Sequence, residues 1–261
     1  MNDIKTLDEG TSPNHFTQAS NANDAARLSD EDANPCARLR QVEQRVRRAQ
    51  IATTSVAGAA QILAVSKGVT PERLRAMYAC GQRALGESYL QEARAKQEAL
   101  SDLAIEWHFI GPVQANKTRP IAEHFDWVHS VDRLRIAERL SQQRPAHLPM
   151  LNICIQVNID DEPSKAGVLP DDLPALAHHI AALPNLSLRG LMAIPRATHD
   201  VAAQNDAFRR VRLLQEQLCR EGLALDTLSM GMSDDLEAAV TQGATWLRIG
   251  TAIFGARSSS D

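Results

Sequence analysis

Three observations predict one (β/α)8 TIM barrel, an α/β fold, for this 261-residue chain. Eight short apolar segments alternate with helical patterns from residue 62 to residue 249. Those segments are apolar nearly throughout, as strands of a parallel sheet covered on both faces must be. Eight such units in about 200 residues sit at the lower size limit of a barrel. A doubly wound open sheet is the competing arrangement. No Gly-x-Gly-x-x-Gly turn follows any strand, which counts against a dinucleotide site.

Leu39, Val42, Val46 and Ala49 recur at helical spacing and predict a leading helix from Cys36 to Ala59. Ile62 to Val65 is the first strand. Thr70-Pro71-Glu72 reads as a cap with Pro in the first turn, opening a helix to Ala79. Arg83 to Leu85 is a short strand, followed by a helix from Tyr89 to Leu100. Glu106 to Phe109 and Trp127 to His129 are the next strands, with helices over Gln114–His124 and Asp132–Gln143. Leu151 to Ile159, rich in β-branched residues, is the fifth strand and precedes a helix over Asp171–Leu183. Ser187 to Ile194 is the sixth. Phe208, Val211, Leu214 and Leu218 mark one face of a helix from Ala203 to Glu221. Thr227–Ser229, a helix over Asp234–Gln242, and Trp246–Ile249 complete the alternation.

Composition narrows the function. Residues 1–35 carry seven acids and two basic residues and lack an apolar period, which predicts a disordered acidic tail. Residues 36–257 form the domain and 258–261 a short end. The whole chain is at −4, so the remainder is near neutral and has no nucleic-acid footprint. No apolar run reaches the roughly 18 residues of a membrane span and no secretory leader is visible, so a cytoplasmic location is expected. Cys36, Cys80, Cys154 and Cys219 form no Cys-x-x-Cys pair and are expected to be reduced, buried and inert.

A barrel places its site at the C-terminal ends of its strands. Lys67 follows the first strand, in a chain with only five lysines. Partial shielding from water there favours the free amine that Schiff-base chemistry needs. Arg248, Gly250 and Thr251 close the eighth strand, and Ser233 reads as the cap of the helix starting at Asp234. The loops after strands seven and eight are the usual barrel phosphate site. An amine, a phosphate cradle and an arginine together fit an aldehyde-bearing phosphate, of which pyridoxal 5′-phosphate is the obvious case. An arginine facing its ring nitrogen would leave that nitrogen unprotonated and weaken the electron sink. His108 reads as a hydrogen-bonded barrel residue. His124, His129, His178 and His179 lack metal spacing and read as surface or helix residues. Met192, Met230 and Met232 read as packing.

Five motifs in order carry a specific resemblance. They are Ala64-Val65-Ser66-Lys67; Gly86-Glu87-Ser88-Tyr89 with Gln91-Glu92; Trp107-His108-Phe109-Ile110-Gly111 with Gln114, Asn116 and Lys117; Arg189-Gly190-Leu191-Met192; and the block from Leu228 to Arg257. Over roughly residues 36–257 the chain resembles the pyridoxal-phosphate homeostasis proteins, also called proline-synthase-associated proteins. The resemblance implies a fold-type III barrel similar to the N-terminal domain of alanine racemase. It implies a Schiff base on Lys67, Arg248 facing the pyridine nitrogen, and a phosphate held by Ser233, Gly250 and Thr251. It implies a protein that carries or buffers pyridoxal 5′-phosphate and affects vitamin B6 and amino-acid/keto-acid balance, without established catalysis. Separately, a monomer with PLP-accepting apoenzymes as partners is expected. Leu85 and Ser88 depart from the aromatic and asparagine usual in the second motif. The rival is a PLP-dependent amino-acid racemase, which needs a second base, and only Tyr78 and Tyr89 offer a phenol.

Overall fold

A computed structural model describes residues 34–53, 59–162 and 165–255. The expected acidic tail and the end segment 258–261 lie outside the described residues, apart from Asn34 and Pro35. Helix α1 spans Pro35–Ala52, one residue earlier than the sequence predicts. Asn34 starts it, its side chain accepting from the Cys36 N–H at 2.9 Å, and Pro35 takes the first turn, where no N–H is needed. The same four apolar residues, Leu39, Val42, Val46 and Ala49, are buried. Thr53 is extended, so the helix stops short of the predicted Ala59; residues 54–58 lie outside the described residues.

Eight strands follow: β1 Gln61–Val65, β2 Ala84–Glu87, β3 Glu106–Phe109, β4 Trp127–Val131, β5 Leu151–Val157, β6 Leu186–Ala193, β7 Thr227–Ser229 and β8 Trp246–Ile249. They pair in chain order, all parallel, into a closed barrel. β1 closes on β8 with Leu63 opposite Arg248 and Ala64 opposite Ile249. The outer helices are α2 Pro71–Ala79, α3 Leu90–Ala99, α4 Thr118–His124, α5 Leu134–Gln143, α6 Leu173–Ala181, α7 Val201–Arg220 and α8 Leu236–Thr241. The predicted helix from Gln114 breaks into a 3-10 turn, Ala115–Lys117, before α4. A four-residue helix, α9 Thr251–Phe254, follows β8 and has no counterpart in the sequence reading.

One large apolar cluster fills the space between strands and helices, with Leu74, Ile121, Leu140, Ile153 and Phe208 fully buried. Each such side chain stabilises by about 1.5–3 kcal/mol on leaving water. Two small clusters lie apart from it: Leu63, Ala84 and Trp246, and Trp127, Cys154 and Met192. Among the described residues no helix is long and apolar enough to cross a membrane, and no three His, Cys, Asp or Glu residues are grouped to hold a metal ion.

The cysteines depart from expectation. Cys36, on α1, is paired with Cys80, just after α2, with Cα atoms 5.6 Å apart. Cys219 is exposed, and only Cys154 is buried and free. Forty-four residues separate the paired cysteines, so their proximity depends on how two helices pack and leaves no spacing signal.

Candidate functional site

The closure of β1 on β8 builds the site. Ala64 pairs with Ile249, so Lys67, three residues on, and Thr251, two residues on, leave neighbouring strand ends. Lys67 is half-buried at the mouth of the barrel. The segment carrying it is braced from one side. Ser66 Oγ donates to Glu87 Oε1 at 2.6 Å, and Lys96 Nζ donates to Ser66 O, Glu87 Oε1 and Glu92 Oε1 at 2.6, 2.7 and 2.6 Å. Gly68 N donates to the same Glu92 oxygen. Burial raises the Glu87 carboxyl above its ordinary pKa, and Lys96 works against that rise. Sequence reasoning placed Glu87 in a loop and did not single out Lys96. Both are buried, at 0% and 4% exposure.

Ser233, Gly250 and Thr251 come together. Thr251 Oγ1 donates to Ser233 Oγ at 3.1 Å, and the Ala252 N–H donates to the same oxygen at 3.3 Å. This corrects the reading of Ser233 as a helix cap. α8 starts later, at Leu236, and Asp235 accepts from the Met232 N–H at 2.6 Å. The Ser233 hydroxyl is thereby turned toward the β8 loop. Gly231 makes the bend before it, at φ +89°, where an added Cβ would lie 2.4 Å from Ala239 Cβ. Gly250 differs: its added Cβ would meet Val65 at an ordinary 3.5 Å, so smallness there answers no backbone strain. Arg45 of α1 holds the loop from outside, donating to Ser233 O at 3.1 Å and pairing with Glu237 at 2.7 Å.

Arg248 lies below, at 5% exposure. Its Nη1 donates to Ser229 O and Ser229 Oγ at 2.6 and 2.9 Å, and Nη2 to Ala193 O at 2.9 Å. Burial lowers it to about 10, with Asp235 and Cys154 working against the fall, so it stays a cation at neutral pH. His129 is not a surface or helix residue. It is fully buried inside the barrel, its Nδ1 2.7 Å from Ser229 Oγ. His108 is the expected hydrogen-bonded barrel residue, at 2.9 Å from His129 Nε2. Met192 and Met230 pack in the interior as expected, whereas Met232 is 40% exposed in the loop before Ser233. Leu85 is buried, and the backbone of Ser88 lies against Gly111, where a Cβ would stand 2.1 Å from the Ser88 carbonyl oxygen.

Residues 38–258 match the family described as alanine racemase, N-terminal domain. A pyridoxal phosphate homeostasis protein of Pseudomonas aeruginosa is 59% identical over 219 residues, 84% of this chain and 94% of that one. One from Escherichia coli K12 is 50% identical over 202 residues, 76% of this chain and 86% of that one. The structure of PipY from Synechococcus elongatus with PLP bound aligns with a TM-score of 0.75 at 38% identity, covering 85% of this chain and all of that one. Alanine racemase from Corynebacterium glutamicum, at 14% identity and a TM-score of 0.62, shares the fold. On this sequence and structural agreement, the chain belongs to the pyridoxal phosphate homeostasis protein family, built on the alanine racemase N-terminal domain.

Proposed function

We propose that this chain binds pyridoxal 5′-phosphate reversibly on Lys67 and carries it for vitamin B6 and amino-acid balance without enzymatic turnover. The observation that carries the reading is the meeting of the β1, β7 and β8 ends. A lysine, a cluster of hydroxyl and N–H groups, and a buried guanidinium stand on three adjacent strands. The donor chemistry fits the ligand. Ser233 Oγ, Thr251 Oγ1 and the backbone at 250–252 offer donors to a phosphate, in the position where barrels bind one. Ser229 and Ala193 take three of the five N–H donors of Arg248, which leaves donors for a ring nitrogen.

When bound, the ligand supplies an aldehyde that condenses with an amine and a ring that can withdraw electrons. Arg248 controls the second property. A guanidinium only donates, and one that remains cationic at neutral pH does not hand over its proton. A ring nitrogen placed against it would therefore stay unprotonated, and the withdrawal would stay weak. Glu87, Lys96 and Glu92 hold the backbone on both sides of Lys67, fixing where its amine starts from. A two-base racemase also needs a base across from the lysine. Tyr78 is engaged elsewhere, under the Arg83 guanidinium at 3.8 Å, and Tyr89 is exposed at the head of α3. The names of the relatives favour the carrier reading as well.

On this reading the working unit is a monomer, and the recipients are PLP-accepting apoenzymes in the cytoplasm. The test is borohydride reduction of the PLP-loaded protein followed by peptide mapping. The label is expected on Lys67, and Lys67→Ala should abolish the visible absorbance band. Ser233→Ala should weaken PLP by roughly tenfold and leave pyridoxal nearly unaffected. A label chiefly on another lysine, or amino-acid racemisation at ~1 s⁻¹ or faster, overturns the reading.

A further inference from the structure

Barrel interiors are ordinarily packed with branched aliphatic side chains. Below Arg248 this one holds a line of polar residues that cradling a phosphate and an aldehyde does not require. Ser229, His129 and His108 are each at 0% exposure. They run without a break from Arg248 Nη1 to Ser229 Oγ (2.9 Å), to His129 Nδ1 (2.7 Å), from His129 Nε2 to His108 Nδ1 (2.9 Å), and from His108 Nε2 to Glu106 Oε1 (2.6 Å). Glu106 begins β3, at the mouth opposite the candidate site, and its side chain is 44% exposed. Packing fixes the rings in place: His108 stacks on Trp127 at 5.4 Å and meets the edge of Trp246 at 4.8 Å.

We propose that Glu106, His108, His129 and Ser229 form one directional hydrogen-bonded file that orients Arg248 toward a ring-nitrogen acceptor, with Glu106 setting its direction. The part concerning the ring nitrogen rests on the PLP reading above; the file itself does not. The direction follows from donor chemistry. Arg248 can only donate, so Ser229 Oγ accepts from it and directs its own proton to His129 Nδ1. His129 then donates from Nε2 to His108 Nδ1, and His108 donates from Nε2 to the Glu106 carboxylate. Each ring carries a single N–H, because burial holds His108 down to about 3 and His129 well below its usual value. The Glu106–His108 contact is therefore a neutral ring donating to a carboxylate, not an ion pair.

Adding one proton at Glu106 permits the reverse arrangement. Glu106 then donates to His108 Nε2, His108 donates from Nδ1 to His129 Nε2, and His129 donates from Nδ1 to Ser229 Oγ. Both rings stay neutral, one proton is gained at Glu106, and the Ser229 hydroxyl dipole turns beside Arg248. Other charges face the two ends. At Glu106 these are Arg189, itself paired with Asp226, and Asp126, which Arg144 faces. At Arg248 it is Asp235; the Cys154 thiol beside it is held neutral by burial. Any pH effect must be separated from theirs.

Ring-nitrogen NMR of the ligand-free, histidine-labelled full chain tests the file. His108→Gln and His129→Gln spectra assign the two rings. Both are expected as neutral Nε2–H tautomers between about pH 6 and 8. An Nδ1–H or doubly protonated form of either ring at neutral pH overturns the proposal. Glu106→Gln offers either an acceptor or a donor to His108, so a second, Nδ1–H population is expected at His129, which does not touch residue 106. Asp226→Asn, which changes charge at the same mouth without breaking the file, should leave His129 alone. No change in Glu106→Gln, or an equal change in Asp226→Asn, overturns the coupling. In PLP-loaded protein, Glu106→Gln should move the pH midpoint of the visible band by about half a unit or more while holding Kd within about twofold. An unmoved midpoint alongside altered tautomers overturns the link to the ligand. Failure of the wild type to take up PLP sinks the carrier reading, while the tautomers still judge the file.

Discussion

Lys96 donates to three acceptors from a position with 4% exposure, and its removal would leave the Glu87 carboxylate buried with Oε2 already lacking a partner. Lys96→Met is therefore expected to lower stability by about 3–5 kcal/mol. Adding Glu87→Leu should recover much of that loss, since no charge is then stranded. Urea denaturation of the two variants measures the difference, and equal losses would show that packing, not the stranded charge, sets the cost. The sequence exposed Lys67 because it directly follows an apolar strand. Lys96 showed only an ordinary i,i+4 pairing with Glu92, the pattern of a solvated helix face. Its burial depends on where α3 lands on β2, which no local spacing reports. Glu106 and His129 escaped for a related reason. Period-two alternation separates two faces of a strand but does not say which one turns into the barrel.

Helix α1 shows both what periodicity reveals at the level of elements and where it fails. Its four buried residues were legible, and so were all eight strands, because each element carries its own apolar pattern. Its ends were not. The stop at Ala52 comes where Thr53 turns extended and bonds back to Gln50 O and Ala49 O, and α8 starts at Leu236 after Asp235 takes the Met232 N–H, local turns that apolar spacing does not report. α1 touches the loop that carries Ser233 through Arg45, which binds both Glu237 and the Ser233 carbonyl. The Arg45 guanidinium holds the Glu237 carboxyl below its ordinary value. A depressed carboxylate contributes stability above its unfolded value of about 4.3 and loses it as pH falls through the folded value. Both side chains are more than a third exposed, so solvent screening keeps the pair within about 1 kcal/mol. Arg45→Met should cost about that much at pH 7, and the difference from wild type should shrink as pH falls below the unfolded value of about 4.3 and vanish below the folded one. Thermal melts at the two pH values measure it. A gap that persists in acid would assign the effect to lost contact with Ser233.

Across the whole molecule, two neutral histidines inside the barrel set the acid limb of stability. Their unfolded value is about 6.5, and burial depresses both when folded, His108 to about 3. The unfolded chain therefore binds more protons below pH 6.5. Stability is fully present above that value and falls as pH drops toward the folded values. The limiting slope is about 1.4 kcal/mol per pH unit for each ring. Chemical denaturation from pH 7.5 to 4.5 should show this fall, and His108→Gln should make it shallower by about half. An unchanged slope would place the acid lability elsewhere. Barrel closure has a further consequence, for synthesis. Leu63 and Arg248 pair although about 185 positions apart, and Lys67 and Thr251 are separated almost as widely. At about 5–20 residues per second, a ribosome takes roughly ten to forty seconds to pass from β1 to β8. Through that interval β1 offers an unpaired edge, and Lys67 has neither the guanidinium nor the hydroxyl cluster beside it. A nascent chain halted before Trp246 lacks β8 and, with it, Arg248, Gly250 and Thr251. On the function proposed above, loading would await β8, and products truncated before it would not sequester the ligand.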